Sequence, residues 1–208
     1  MTIPIADAAA SWPVVTSSER YRGTIIDVHR DTIRFPEGNT AEREVVRHPG
    51  AVGVVALDES GPVPRVLMIR QYRHPVGRLL WELPAGLRDV AGEPLVHTAR
   101  RELLEEAGYR AAHWQVLVDY FSSPGIITER LRVFLARGLE RVPEAERSFV
   151  PEHEEAHLLL EWVPLDDAVS LILAGELHNG VAVAGILAAQ AARAGGFAHL
   201  RETDTPET

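Results

Sequence analysis

The sequence predicts a mixed α/β (α+β) sandwich with a mixed sheet, preceded by a small antiparallel β appendage. Three observations predict it. Apolar runs such as "AVGVVAL" and "RVLMIRQY" read as buried strands. Strand-like runs stand on both sides of one amphipathic helix at "GEPLVHTARRELLEEAGY", and an apolar helical pattern lies near the C-terminus. With 208 residues and 46% apolar composition, the chain can bury a core as one domain with a small appendage.

Residues 1–18 are Ala/Ser-rich without a sustained period and read as a flexible arm. From "YRGTIIDVHRDTIRF" through "AEREVVRHPG", short β-branched runs flank the turn signal "PEGN", which predicts an antiparallel appendage over 19–48. The main domain then spans 49–196. "DESGPVP" separates its first two strands, and "LLWELPAGL" reads as a strand running into a Pro/Gly loop. Pro94 suits the first turn of the acidic helix and Gly108 its end. "WQVLVDYF", "RLRVFLARGL" and "HLLLEWVPL" read as further strands. Asp166 and Asp167 open a helix, and "NGVAVAGILAAQAARAGG" is a last helix ending at a Gly pair. The polar tail, 197–208, reads as flexible.

The formal net charge of −9 argues against a nucleic-acid backbone binder. All 21 basic side chains are Arg and there is no Cys. Cysteine nucleophiles, thiolate metal sites, Schiff-base lysines and a P-loop lysine are therefore excluded. "MTIPIADAAASWPVV" has no basic residue and does not read as a secretory signal, and "VAVAGILAA" is too short to span a membrane. The expectation is a soluble cytoplasmic protein.

In the acidic helix, a step of about 100° per residue puts Glu105 and Glu106 about 60° and 40° either side of Glu102. Val96, Ala99, Leu103 and Ala107 form a separate apolar stripe. Glu102 and Glu106 repel by roughly 0.2–0.5 kcal/mol, and an Arg101–Glu105 pair offsets this only in part. Something else should reward the cluster, and Mg²⁺, which favours carboxylate and carbonyl oxygens, suits it. Taken alone, such a cluster is more often a solvated acidic face.

Glu93, seven residues, then "RELLEEAGY" resembles the Nudix hydrolase signature, with Gly86 as its leading glycine. Six residues rather than five separate Gly86 from Glu93, an insertion placed in the loop "LRDVAG". Tyr109 stands where the family usually has an aliphatic residue. "ELPAGL" before the box, and "SPG" with Glu129 after it, are similar to the family branch that cleaves ADP-ribose. The resemblance implies a Nudix-type α/β/α sandwich. It also implies that the Ala85 carbonyl, Glu102 and Glu106 bind Mg²⁺, with Mn²⁺ as a substitute. Glu105 shares a metal, while Glu93 and Arg101 hold the site's geometry. Arg73 matches an Arg that binds the diphosphate, Glu129 matches a Glu that contacts the terminal ribose, and Glu82 and Arg47 join the substrate-binding set. Arg43 is a weaker candidate, and Trp81 reads as core. In the family the adenine pocket draws on a second subunit's appendage, which implies a homodimer.

"HEEAH", His153 to His157, formally matches a zinc-peptidase motif with Glu154 as base. Pro151 before it and a strand-like run after it oppose a helix there. The resemblance implies instead an acidic loop with Glu155 as catalytic base and Glu154 next. His157 stands where the family often has an acidic residue, so the register of the loop stays open. The function implied is Mg²⁺-dependent hydrolysis of ADP-ribose to AMP and ribose 5-phosphate. The alternatives are a Nudix pyrophosphatase for another nucleoside diphosphate sugar, a non-catalytic ADP-ribose sensor, and, remotely, a zinc peptidase. Sensors tend to lose the box carboxylates, and all are present here.

Overall fold

A computed structural model describes residues 5–147 and 158–207. His153, Glu154, Glu155 and His157 lie outside the described residues.

The chain divides into two units, Met1–Pro49 with Ser123–Glu129, and Gly50–Ser122 with Arg130–Thr208. The first unit is an antiparallel meander of β1 (Val14–Arg22), β2 (Asp27–Arg34) and β3 (Thr40–Arg47). Gly38, at φ +96, closes the β2–β3 turn, where its N–H donates to the Phe35 carbonyl. Two expectations change here. Residues 14–18 are not a loose arm: they pair with β2, and the Ser17 and Thr16 hydroxyls bond to Asp31 at 2.5 Å and Thr32 at 2.9 Å. Hydroxyl and β-branched side chains suit a strand, but in an all-exposed strand they leave no period to read. Ser123–Glu129, expected in the main domain, returns to β3 instead. Val46 N–H donates to the Ile126 carbonyl at 2.8 Å, and Thr128 N–H to the Val46 carbonyl at 3.0 Å.

The second unit is built on a mixed sheet. Its strands are β4 (Ala51–Asp58), β5 (Arg65–Arg73), β6 (Arg78–Glu82), β7 (Ala85–Leu87), β8 (Tyr109–Phe121), β9 (Arg130–Arg141) and β10 (Leu159–Pro164). The order is β10-β5-β4-β9-β8, with β6 on β5 and β7 on β4. Only β4 and β9 run parallel. β4 is apolar from Ala51 to Leu57, where both its faces are covered. Val52, Val54 and Ala56 pack under α1 (Leu95–Ala107), together with Val96, Ala99, Leu103 and Ala107. Val55 and Leu57 pack against α2 (Leu165–Leu173) and α3 (Gly180–Ala194) through Leu165, Ala168, Ala182 and Ile186. Alternation along one strand thus separates two apolar layers, the α/β/α arrangement expected.

α1 ends where the sequence predicts. Gly108 sits at φ +71 and its N–H reaches the Leu103 and Leu104 carbonyls. α3 is capped by Asn179, whose side chain accepts from Ala182 N–H at 2.9 Å. The segment after α3 is not a loose tail: the Arg201 carbonyl accepts from Val116 N–H at 2.9 Å, and the Thr205 carbonyl accepts from Arg132 Nη1 at 2.7 Å. Arg132, only 3% exposed, also forks onto Asp119 at 2.8 Å through Nε and Nη2. No helix among the described residues is long and apolar enough to cross a membrane.

Candidate active site

The expected loop "PAGL" contains β7, three residues on the open edge of β4, paired Ala51 to Leu87, Val52 to Gly86 and Gly53 to Ala85. The edge is open because β5 meets β4 only at Leu57 and Asp58. β7 runs beside α1 and positions Ala85 and Gly86 against the helix's acidic face. Glu106 Oε2 accepts from Ala85 N–H at 2.9 Å. Gly86 must lack a side chain, since a Cβ there would overlap the Glu102 carboxylate.

Arg101 lies among the carboxylates. Its Nη1 is 2.7 Å from Glu102 and 3.6 Å from Glu105, and its Nη2 is 3.6 Å from Asp89 and 3.8 Å from Glu93. Burial opposes the charge on Arg101, but Glu102, Glu105, Glu93 and Asp89 outweigh it and raise its pKa above the ordinary arginine value. Glu93 is fixed from the other side by the buried Thr98, whose hydroxyl donates to Oε2 at 2.7 Å. Thr98 and Asp89 were not singled out by the sequence. Thr98 falls beside the apolar stripe, and Asp89 sits in an insertion with no period.

Among the described residues no three carboxylate or imidazole groups already converge on one point. The donor chemistry nevertheless fits a hard divalent cation. Every available donor is oxygen, and the missing side chain at Gly86 leaves Glu102 room beside β7. Glu102, Glu105, Glu106 and Ala85 are the residues that could hold it.

The remaining predicted residues fall into two groups. In the second unit, Arg73 donates to Glu82 in a fork, Nε to Oε1 at 2.8 Å and Nη2 to Oε2 at 2.6 Å. Glu82 is only 2% exposed while Arg73 is partly open, so the buried carboxylate holds the more exposed guanidinium in place. In the first unit, Glu129 Oε1 is 3.5 Å from His48 Nδ1, and His48 N–H donates to Thr128 Oγ1 at 3.0 Å. Arg47, exposed at the end of β3, pairs in register with Asp27. Arg43, also exposed, lies over the Phe35 ring at 5.8 Å. Trp81 is partly buried against the α3-side core, as a core residue should be.

A sandwich that sets an acidic helix against a glycine strand is the architecture of a Nudix hydrolase, and the NUDIX domain family matches residues 47–183. The chain belongs to that family, whose enzymes use divalent metal ions. It is 47% identical over 200 residues to the ADP-ribose pyrophosphatase of Mycobacterium tuberculosis, covering 95% of this chain and 92% of that protein. To the ADP-ribose pyrophosphatase of Bacillus subtilis it is 34% identical over 165 residues, 79% of this chain and 85% of that one. The crystal structure of an ADP compounds hydrolase shares the fold, with TM-score 0.72 at 19% identity over 92% of this chain and 98% of the other. The zinc-peptidase alternative ends with the family assignment, and a strand, β10, follows "HEEAH" from Leu159.

Proposed function

We propose that this chain hydrolyses the diphosphate of ADP-ribose, giving AMP and ribose 5-phosphate, as a cytoplasmic homodimer that uses Mg²⁺ or, in its place, Mn²⁺. The observation that carries the substrate is the identity of 47% along 95% of the chain to a protein named for that activity. One water adds to a phosphorus of the diphosphate, and the bridging P–O bond breaks. The Ala85 carbonyl, Glu102, Glu105 and Glu106 would hold a divalent cation, which would supply positive charge against the diphosphate. Arg73, oriented by the buried Glu82, offsets charge on the non-bridging oxygens. Glu155, with Glu154 as its understudy, takes the proton of the attacking water. Glu129 contacts the terminal ribose, and Arg47 joins the substrate-binding set. A panel of nucleoside diphosphate sugars tests the substrate: kcat/KM for ADP-ribose should exceed the others, and a clear preference for another sugar would overturn the assignment.

The base is tested by substitution. Glu155→Gln should lower kcat by about 10² to 10⁴ with little change in KM, while His153→Ala should matter little. Full hydrolysis by Glu155→Gln would move the proton acceptor to Glu154.

For the dimer, the support is exposed apolar surface on the first unit. Every residue of β1 is exposed, including Val14, Val15 and Tyr21, and Ile25 follows in the next turn. A second copy of the chain would cover them. Sedimentation of the full chain should give a dimer, and removal of residues 1–48 a monomer or an insoluble product. An active, well-behaved monomer from the shortened chain would contradict this.

A further inference from the structure

β7 carries Ala85 and Gly86, yet it is three residues long; Val54 N–H to the Pro84 carbonyl at 2.8 Å extends its pairing with β4 at one end, and Arg88 N–H to the Gly50 carbonyl at 3.1 Å at the other. Something must hold its far end. The Arg88 guanidinium meets Glu207, with Nη1 3.1 Å from Oε2 and 3.3 Å from Oε1. Glu207 Oε1 is also 3.5 Å from Nε of Arg130, at the start of β9. β7 and β9 flank the first residues of β4 on opposite sides. The Glu207 carboxylate therefore ties the two neighbours of β4 together. Gly50, at φ +91, allows the closure: a Cβ there would meet the Arg130 carbonyl at 2.9 Å and Arg88 Cδ at 3.0 Å.

Glu207 is itself anchored through its own segment. Arg201 Nη1 donates to Asp119 Oδ2 at 2.8 Å, the Arg201 carbonyl takes Val116 N–H, and the Thr205 carbonyl takes Arg132. These bonds fix the segment on β8 and β9 just ahead of Glu207.

We infer that residues 201–207 form a strap whose Glu207, acting through Arg88, is a positioning residue for β7 and hence for the Ala85 carbonyl and the Gly86 opening beside Glu102. The consequence for metal binding rests on the site assignment above. Without the carboxylate, Arg88 loses its tie across to β9, and the end of β7 loosens.

The test uses the full chain carrying Glu207→Gln, Arg88→Gln, or both. Amide hydrogen exchange is followed at Gly86 and Leu87, with Mn²⁺ affinity measured by electron paramagnetic resonance without substrate. Glu207→Gln should speed exchange at Gly86 and Leu87 but not in the core of β4, and should weaken Mn²⁺ binding about tenfold. The double variant should be no worse than the worse single one, because both substitutions break one contact. Unchanged exchange in β7 would overturn the proposal, and so would a uniform acceleration across the sheet, which marks a purely structural contact. If the unsubstituted chain fails to cleave ADP-ribose or to bind Mn²⁺, the functional reading falls, while the exchange at Gly86 and Leu87 still decides the strap.

Discussion

Glu106→Gln should lower turnover by more than about a hundredfold and weaken divalent-metal binding while leaving the fold in place. Glu106 lies off the stripe of Val96, Ala99, Leu103 and Ala107 that α1 buries, so the substitution leaves the core untouched. A glutamine oxygen can still accept the Ala85 N–H bond now taken by Oε2, so β7 keeps its tie to the helix. What is lost is one negative charge and one anionic donor at the site. The thermal midpoint should stay within a few degrees of the parent while activity collapses. Near-parental turnover with an unchanged metal requirement would remove Glu106 from the metal site.

The largest effect on stability is expected from Arg132→Ala. Arg132 is 3% exposed on β9 and is held by both oxygens of Asp119 and by the Thr205 carbonyl. Its removal leaves a partly buried carboxylate and a carbonyl short of donors, at a cost of about 3 kcal/mol. Urea unfolding measures this directly, and a loss below about 1 kcal/mol would contradict it. The same pair sets a pH response. Burial pushes the Asp119 carboxyl up, but hydrogen bonds and charge from Arg132 and Arg201 outweigh that and hold it below the ordinary carboxylate value. A lowered folded-state pKa means that the unfolded chain binds the proton more readily, so stability rises with pH. The contribution is complete above the unfolded value of about 3.9 and is lost as pH falls through the folded one. Asp119→Asn should flatten this acid limb.

The part of the fold that local pattern controls was legible. The stripe on α1 is buried as its spacing requires, the apolar run Ala51–Leu57 of β4 is covered on both faces, and Gly108 ends the helix in the left-handed region. The order of the carboxylates along α1 was legible for the same reason, since helical spacing alone places Glu102, Glu105 and Glu106 on one arc of the helix. Contacts between polar residues distant in sequence were not. Asp119 and Arg132 sit in strands whose apolar residues carry the pattern, and nothing local marks them as partners. Glu207 and Arg88 meet across 119 positions. The strand character of Ala85–Leu87 depends on the vacant edge of β4, a property of the sheet rather than of "AGL". Glu82 reads as a substrate contact from its motif, while its burial and its fork onto Arg73 are visible only in the fold.

The most direct test of the central claim is the release of AMP and ribose 5-phosphate from ADP-ribose by the full chain, followed with Mg²⁺ and again after chelation with EDTA. Equal amounts of the two products are expected with Mg²⁺ and none with EDTA. Intact ADP-ribose in both reactions, or cleavage indifferent to the chelator, would contradict the claim.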